Sequence, residues 1–108
     1  MNLAPVENKF GLSERSANTL LEIFKKYPEV IEMWIFGSRA KGNYKTGSDI
    51  DLAIMKGKVS QKIIANILSE CEESSLPNRV DLIDFHALKT KEFIEHISRV
   101  GKVFYKTK

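Results

Sequence analysis

With 108 residues, 43% apolar and 29% charged, and with six Gly and three Pro, the chain has the balance of an ordinary folded domain and room for one core. Its 17 basic and 14 acidic residues leave a formal charge of +3, too small and too interspersed to announce a nucleic-acid binder. No apolar run approaches the roughly 18 residues of a membrane span. The start MNLAPVENKF lacks the basic-then-apolar pattern of a secretory signal, so no membrane role is expected and the cytoplasm is the expected compartment. The single cysteine, Cys71, can make neither an internal disulfide nor a multi-thiolate metal site, and its expected role is that of a small core hydrophobe.

No repeat, low-complexity stretch or Pro-rich linker divides the chain, so residues 1–108 are expected to form one domain, with 1–12 a loose lead-in and 106–108 a tail. Ser13 can cap a first helix in which Ala17, Leu20, Leu21 and Phe24 fall on one stripe, ending before Pro28. Glu32 to Phe36 is β-prone and apolar on both sides of its alternation, which suits a central strand. From Gly37 to Ser48 the chain is polar, with three glycines, and reads as a loop with room for one helical turn at 38–41. The next strand, Asp49 to Met55, puts Ile50, Leu52 and Ile54 on one face and Asp49, Asp51 and Ala53 on the other. Ile63, Ile64, Ile67, Leu68 and Cys71 mark a second helix, capped by Ser60 and broken near Ser74, Ser75 and Pro77. A third strand, Arg79 to Phe85, separates Val80 and Leu82 from Asp81 and Ile83. Thr90 then caps a helix with the stripe Phe93, Ile97 and Val100, Gly101 ends it as a C′ residue, and Val103 to Tyr105 makes a short last strand. The expected fold class is α/β (α+β): a small mixed sheet with helices mainly on one face, leaving the acid-bearing face open.

The chemistry lies in Asp49-Ile50-Asp51. On a strand, residues i and i+2 point the same way with Cα atoms about 6–7 Å apart, so both carboxylates can reach one cation. Asp81 supplies a third acid from another strand; Asp84 is its rival, but period 2 places it on the opposite face. Carboxylates gathered without a cation repel, and a divalent ion removes that penalty. Oxygen-only ligands favour Mg²⁺ or Mn²⁺ over zinc, and Mg²⁺ completed by substrate phosphates points to phosphoryl or nucleotidyl transfer. Asp-x-Asp by itself also fits a merely solvated strand face. Gly37-Ser38 just upstream adds weight, because a residue without Cβ lets main-chain amides and a hydroxyl approach an anion. Arg39 has the planar fork that binds phosphate, or that makes a surface salt bridge. Tyr44 can stack on a base or cap the loop. His86 and His96 have no ligand-like spacing and read as ordinary loop and helix-surface histidines.

Gly37-Ser38, ten residues, Asp49-Ile50-Asp51-Leu52 and a hydrophobic-flanked Asp81 together resemble the signature of the DNA polymerase β-like nucleotidyltransferase superfamily. The strings GSRAKG and SDIDLAI are similar to its minimal nucleotidyltransferase (MNT) branch, with Lys41 where Arg is commoner, and the likeness covers roughly residues 13–105. The resemblance implies the nucleotidyltransferase core fold, with Gly37 and Ser38 holding a nucleoside triphosphate, ATP, and Arg39 as a candidate added phosphate contact. It further implies that Asp49, Asp51 and Asp81 are catalytic and bind two Mg²⁺ ions (or Mn²⁺), and that AMP is moved onto a hydroxyl. The implied partner is a helical HEPN protein, this chain being the antitoxin of the pair. Neutralisation by binding alone stays open as the alternative.

Overall fold

The computed structural model describes residues 9–107. The expected loose lead-in lies mostly outside that range, but its end is ordered: Lys9–Gly11 forms a 3₁₀ turn and Leu12 is buried in the core. Residues 106 and 107 are likewise not a loose tail. Lys106 closes the last strand and the Thr107 amide donates to the Ile31 carbonyl at 2.8 Å.

The described elements are α1 (Glu14–Lys25), β1 (Glu32–Phe36), α2 (Gly37–Lys41), β2 (Ile50–Lys56), α3 (Gln61–Glu73), β3 (Val80–Asp84), α4 (Lys91–Val100) and β4 (Lys102–Lys106). Ser13 and Ser60 cap α1 and α3 as expected, their hydroxyls accepting from the amides of Ser16 at 3.0 Å and Ile63 at 3.2 Å. Thr90 precedes α4 without a side-chain capping bond. The buried stripe of α1 is Ser16, Leu20, Ile23 and Phe24, with Ala17 and Leu21 at its margin. That roll follows from Phe24, whose ring meets Phe104 and Tyr105 edge-on at 6.3 and 5.5 Å. Both aromatics are available because the β1–β4 register slips between Met33 and Trp34, pairing these with Tyr105 and Val103 and leaving Phe104 as the extra residue of a bulge.

The four strands run in the order β3-β2-β1-β4. β1 is antiparallel to both β2 and β4, whereas β2 and β3 are parallel and joined by the crossover helix α3. One sheet face carries Met33, Ile35, Ile50, Leu52 and Ile54, all fully buried beneath Leu20 and Phe24 of α1 and Ile64 and Ile67 of α3. Each such side chain contributes roughly 1.5–3 kcal/mol of burial. Tyr27 and Lys26 tie the two helices together, the hydroxyl and the ammonium both donating to the Glu70 carboxylate.

The other face is less open than its two acids suggest. Ala53 on that face is fully buried with Phe36 under Ile97 of α4, and Phe93, Val100, Ile83 and Phe85 pack around them. Helices α1 and α3 thus share one face, and α4 roofs part of the opposite one. Gly101 is not left-handed after α4; its backbone is extended (φ −67°, ψ 150°). Glycine is needed there for space, since a Cβ would lie 2.6 Å from the Ile97 carbonyl oxygen and 2.8 Å from the Trp34 ring. Among the described residues no helix is long and apolar enough to cross a membrane.

Candidate active site

The site is built where β1 ends and β2 and β3 begin. After Phe36 the chain turns through Gly37, at φ +74°, directly into α2, so the expected helical turn starts one residue early. Gly42, at φ +90°, closes it and donates its amide to the Ser38 carbonyl at 2.9 Å. Antiparallel pairing sets Phe36 opposite Asp51, which carries the Gly37 turn alongside that carboxylate. A Cβ on residue 37 would lie 2.4 Å from Asp51 Oδ2.

Parallel pairing then sets Asp51 directly across from Asp81. Adjacent strands lie about 4.8 Å apart, so the two carboxyls meet on the same face. Asp51 is half-buried. Burial first, then the negative charges of Asp81 and Asp49, then a hydrogen bond with Asp81 push its carboxyl above its ordinary value, while the Arg39 charge opposes them. Asp81 is half-exposed and has Arg79 Nε at 3.6 Å, a surface ion pair of little energetic weight. Asp49 is exposed just before β2 and acts on Asp51 through charge alone. The rival acid points elsewhere: Asp84 accepts from the His86 amide at 3.1 Å and caps the turn Phe85–Ala87 on the far face.

Among the described residues no three His, Cys, Asp or Glu side chains are already gathered as a metal-binding group. Asp51 and Asp81 make contact, with Asp49 at the mouth. The donor set nonetheless fits a hard divalent ion: the donors are all oxygen, they repel one another, and the glycine turn beside them keeps the approach clear of a Cβ.

Arg39, expected as a phosphate contact or a surface salt bridge, is not on the surface. It is only 3% exposed, and its guanidinium faces inward. Nε and Nη2 donate to the Ser48 carbonyl at 3.3 and 3.0 Å, and Nη1 donates to the Phe10 carbonyl at 2.9 Å. Tyr44 lies with its ring 5.2 Å from this guanidinium, so it packs the loop. Asn78, a residue that sequence reasoning passed over, donates to the carbonyls of Ser48 at 3.1 Å and Thr46 at 3.2 Å. Its only sequence signal is a place next to Pro77 at the entry to β3.

A parallel pair completed by an antiparallel neighbour, with acids at one end beside a glycine turn, is a nucleotidyltransferase arrangement. The chain belongs to the family described as Polymerase beta, Nucleotidyltransferase, which it matches over residues 18–108. It is similar to the probable protein adenylyltransferase MntA of Haemophilus influenzae (strain ATCC 51907 / DSM 11121 / KW20 / Rd), at 44% identity over 69 residues, 63% of this chain and 60% of that protein. The chain therefore spans about 60% of the length of this curated relative. Its fold is shared with a crystal structure of a toxin-antitoxin with AMP-PNP, at a TM-score of 0.67 and 20% identity, covering 84% of this chain and 73% of the other. It is shared too with a chain in the structure of a tri-AMPylated Shewanella oneidensis HEPN toxin in complex with MNT antitoxin, at a TM-score of 0.63 and 18% identity over 87% and 72% of the two chains. The expected resemblance to MNT proteins and the expected fold class are borne out.

Proposed function

We propose that this chain is a Mg²⁺-dependent nucleotidyltransferase that moves AMP from ATP onto a hydroxyl of a helical HEPN-type partner and so acts as an antitoxin. The observation that carries this reading is the in-register pair Asp51 and Asp81, with Asp49 two residues upstream and the Gly37 turn against Asp51. Membership of the family and the adenylyltransferase relative support the activity; the fold shared with MNT–HEPN complexes supports the partner. The described residues share one sheet, which supports a single domain, and the cytoplasm is the compartment where such a pair would act.

In this reading Gly37 and Ser38 seat the triphosphate, and Asp49, Asp51 and Asp81 hold two Mg²⁺ ions, or Mn²⁺. The ions supply charge neutralisation for the polyphosphate and activation of the acceptor oxygen. The acceptor oxygen bonds to the α-phosphorus as the bond to pyrophosphate breaks, and Asp81, the more exposed partner of the facing pair, takes the hydroxyl proton. Arg39 is left out of the nucleotide contacts because it is buried and each of its three nitrogens already donates to a main-chain carbonyl.

The test uses ATP labelled at the α-phosphate, Mg²⁺ and a HEPN-type partner. Label should pass to the partner with the native chain and fall by at least about a thousandfold with Asp49→Ala/Asp51→Ala, as expected when groups that act as a unit are removed. Equal transfer by that variant would remove these acids from the chemistry. Undiminished protection of cells by the same variant would make complex formation the operative mechanism.

A further inference from the structure

We propose that Arg39 is a positioning residue: through the Ser48 carbonyl its buried guanidinium fixes the direction in which Asp49 enters the acid cluster. The inference deepens the nucleotidyl-transfer reading and rests on it. A guanidinium taken out of water is costly unless its N–H groups are used, and here three of them, one on each nitrogen, are spent on main-chain carbonyls from two separate segments. Two of them converge on one oxygen, that of Ser48, and Asn78 adds a third N–H from the start of β3. The peptide plane so held is the one that joins Ser48 to Asp49.

The support behind Arg39 is equally specific. Nη1 reaches the Phe10 carbonyl, and Tyr44 packs its ring on the guanidinium. Gly11, at φ +74°, lies against that same ring: a Cβ there would fall 2.2 Å from a Tyr44 ring carbon and 2.9 Å from Arg39 Nη1. The Lys9–Gly11 turn, α2 and the loop before β2 are thereby joined at one side chain, and the entry to β3 is tied in through Asn78 at the same Ser48 carbonyl. Apolar residues would fill the same volume, but they would not orient a carbonyl. Groups that orient metal-binding carboxylates typically change affinity or rate by about 10- to 100-fold when removed.

The test compares Asn78→Ala, Arg39→Lys and Arg39→Met with the native chain. Its readouts are amide hydrogen exchange at residues 48–51, Mn²⁺ affinity by electron paramagnetic resonance, and kcat and KM for ATP in the label-transfer assay. Asn78 is part-exposed, so its truncation keeps the core and decides the matter even where Arg39→Met fails to fold. Asn78→Ala should exchange these amides about tenfold faster, bind Mn²⁺ about tenfold more weakly, and lower kcat by about 10-fold or more while KM for ATP stays nearly constant. Arg39→Lys, able to bond one carbonyl at a time, should fall between Arg39→Met and native. Native exchange and native Mn²⁺ affinity in Asn78→Ala and Arg39→Lys would overturn the proposal. Altered exchange and affinity with no label transfer even by the native chain would uphold the positioning role and overturn the transfer reading.

Discussion

Gly37 and Asp51 are packed so closely that the carboxylate of Asp51 occupies the space where a side chain on residue 37 would begin. The backbone at Gly37 is also left-handed, at φ +74°. Gly37→Ala should therefore cost about 1–2 kcal/mol from conformation alone, with the displaced carboxylate adding to it. Urea unfolding measures the first effect. Mn²⁺ titration measures the second, which should be a loss of affinity out of proportion to the stability change.

Asp51 is the titrating group that burial and its acidic neighbours raise above the ordinary carboxylate value. A raised carboxyl binds more protons folded than unfolded, so stability falls as pH rises through its folded pKa and the penalty is absent below the unfolded value. Without added divalent ion, Asp51→Asn should therefore be more stable than the native chain at about pH 7, with the difference closing toward about pH 3. Denaturant midpoints across that range provide the check; a variant less stable at neutral pH would contradict it.

Tyr27 gives a signal at the opposite end of the scale. Its hydrogen bond to Glu70, with burial and the Glu70 charge, pushes the hydroxyl from 10.0 up to about 12. The bonded neutral form belongs to the fold, so its contribution is complete below about pH 10 and is lost as pH rises toward 12. Ultraviolet titration should show a late tyrosine that disappears in Tyr27→Phe and moves back toward 10 in Glu70→Gln.

Cys71 is 5% exposed, and burial, aided by the Glu70 charge, pushes its thiol to about 11. At about pH 8 a thiol reagent should label it roughly a hundredfold more slowly in buffer than in urea, because the thiolate is the reacting form. Fast labelling of the folded chain would show that this helix face is open.

Ile97→Ala tests the roof over the second sheet face. Ile97 is fully buried against Phe36 and Ala53, and its truncation should cost about 2–4 kcal/mol by urea unfolding. A cost below about 1 kcal/mol would mean that α4 is not held as described.

The strands and the two serine caps were legible because their signals are local: period-two alternation in Ile50, Leu52 and Ile54, and Ser13 and Ser60 before apolar stripes. The facing of Asp51 and Asp81 was legible as parity but not as register, which only the parallel pairing decides. The side of the sheet taken by α4 was not legible. The stripe Phe93, Ile97 and Val100 says that one helix face is buried, not against what; Ala53, small and apolar among acids, was the available hint. Arg39 escaped because a charged residue in a polar loop is by default solvated. Its partners are carbonyls, which leave no trace in side-chain identity, and one of them, that of Phe10, sits in a segment distant along the chain. The bulge at Phe104 was hidden for a similar reason: it goes with the contact between Phe104 and Phe24, which are eighty residues apart along the chain.

The parallel pairing of β2 with β3 also imposes an order of assembly. Gly37, Asp49 and Asp51 come together within a local hairpin, whereas Asp81 arrives only after the whole of α3 has crossed behind the sheet. A chain still emerging from the ribosome, or one opened at its β3 edge, would hold two of the three acids and lack the third. Docking of β3 is thus the step that completes the group of acids, and its edge position is where that group would first come apart.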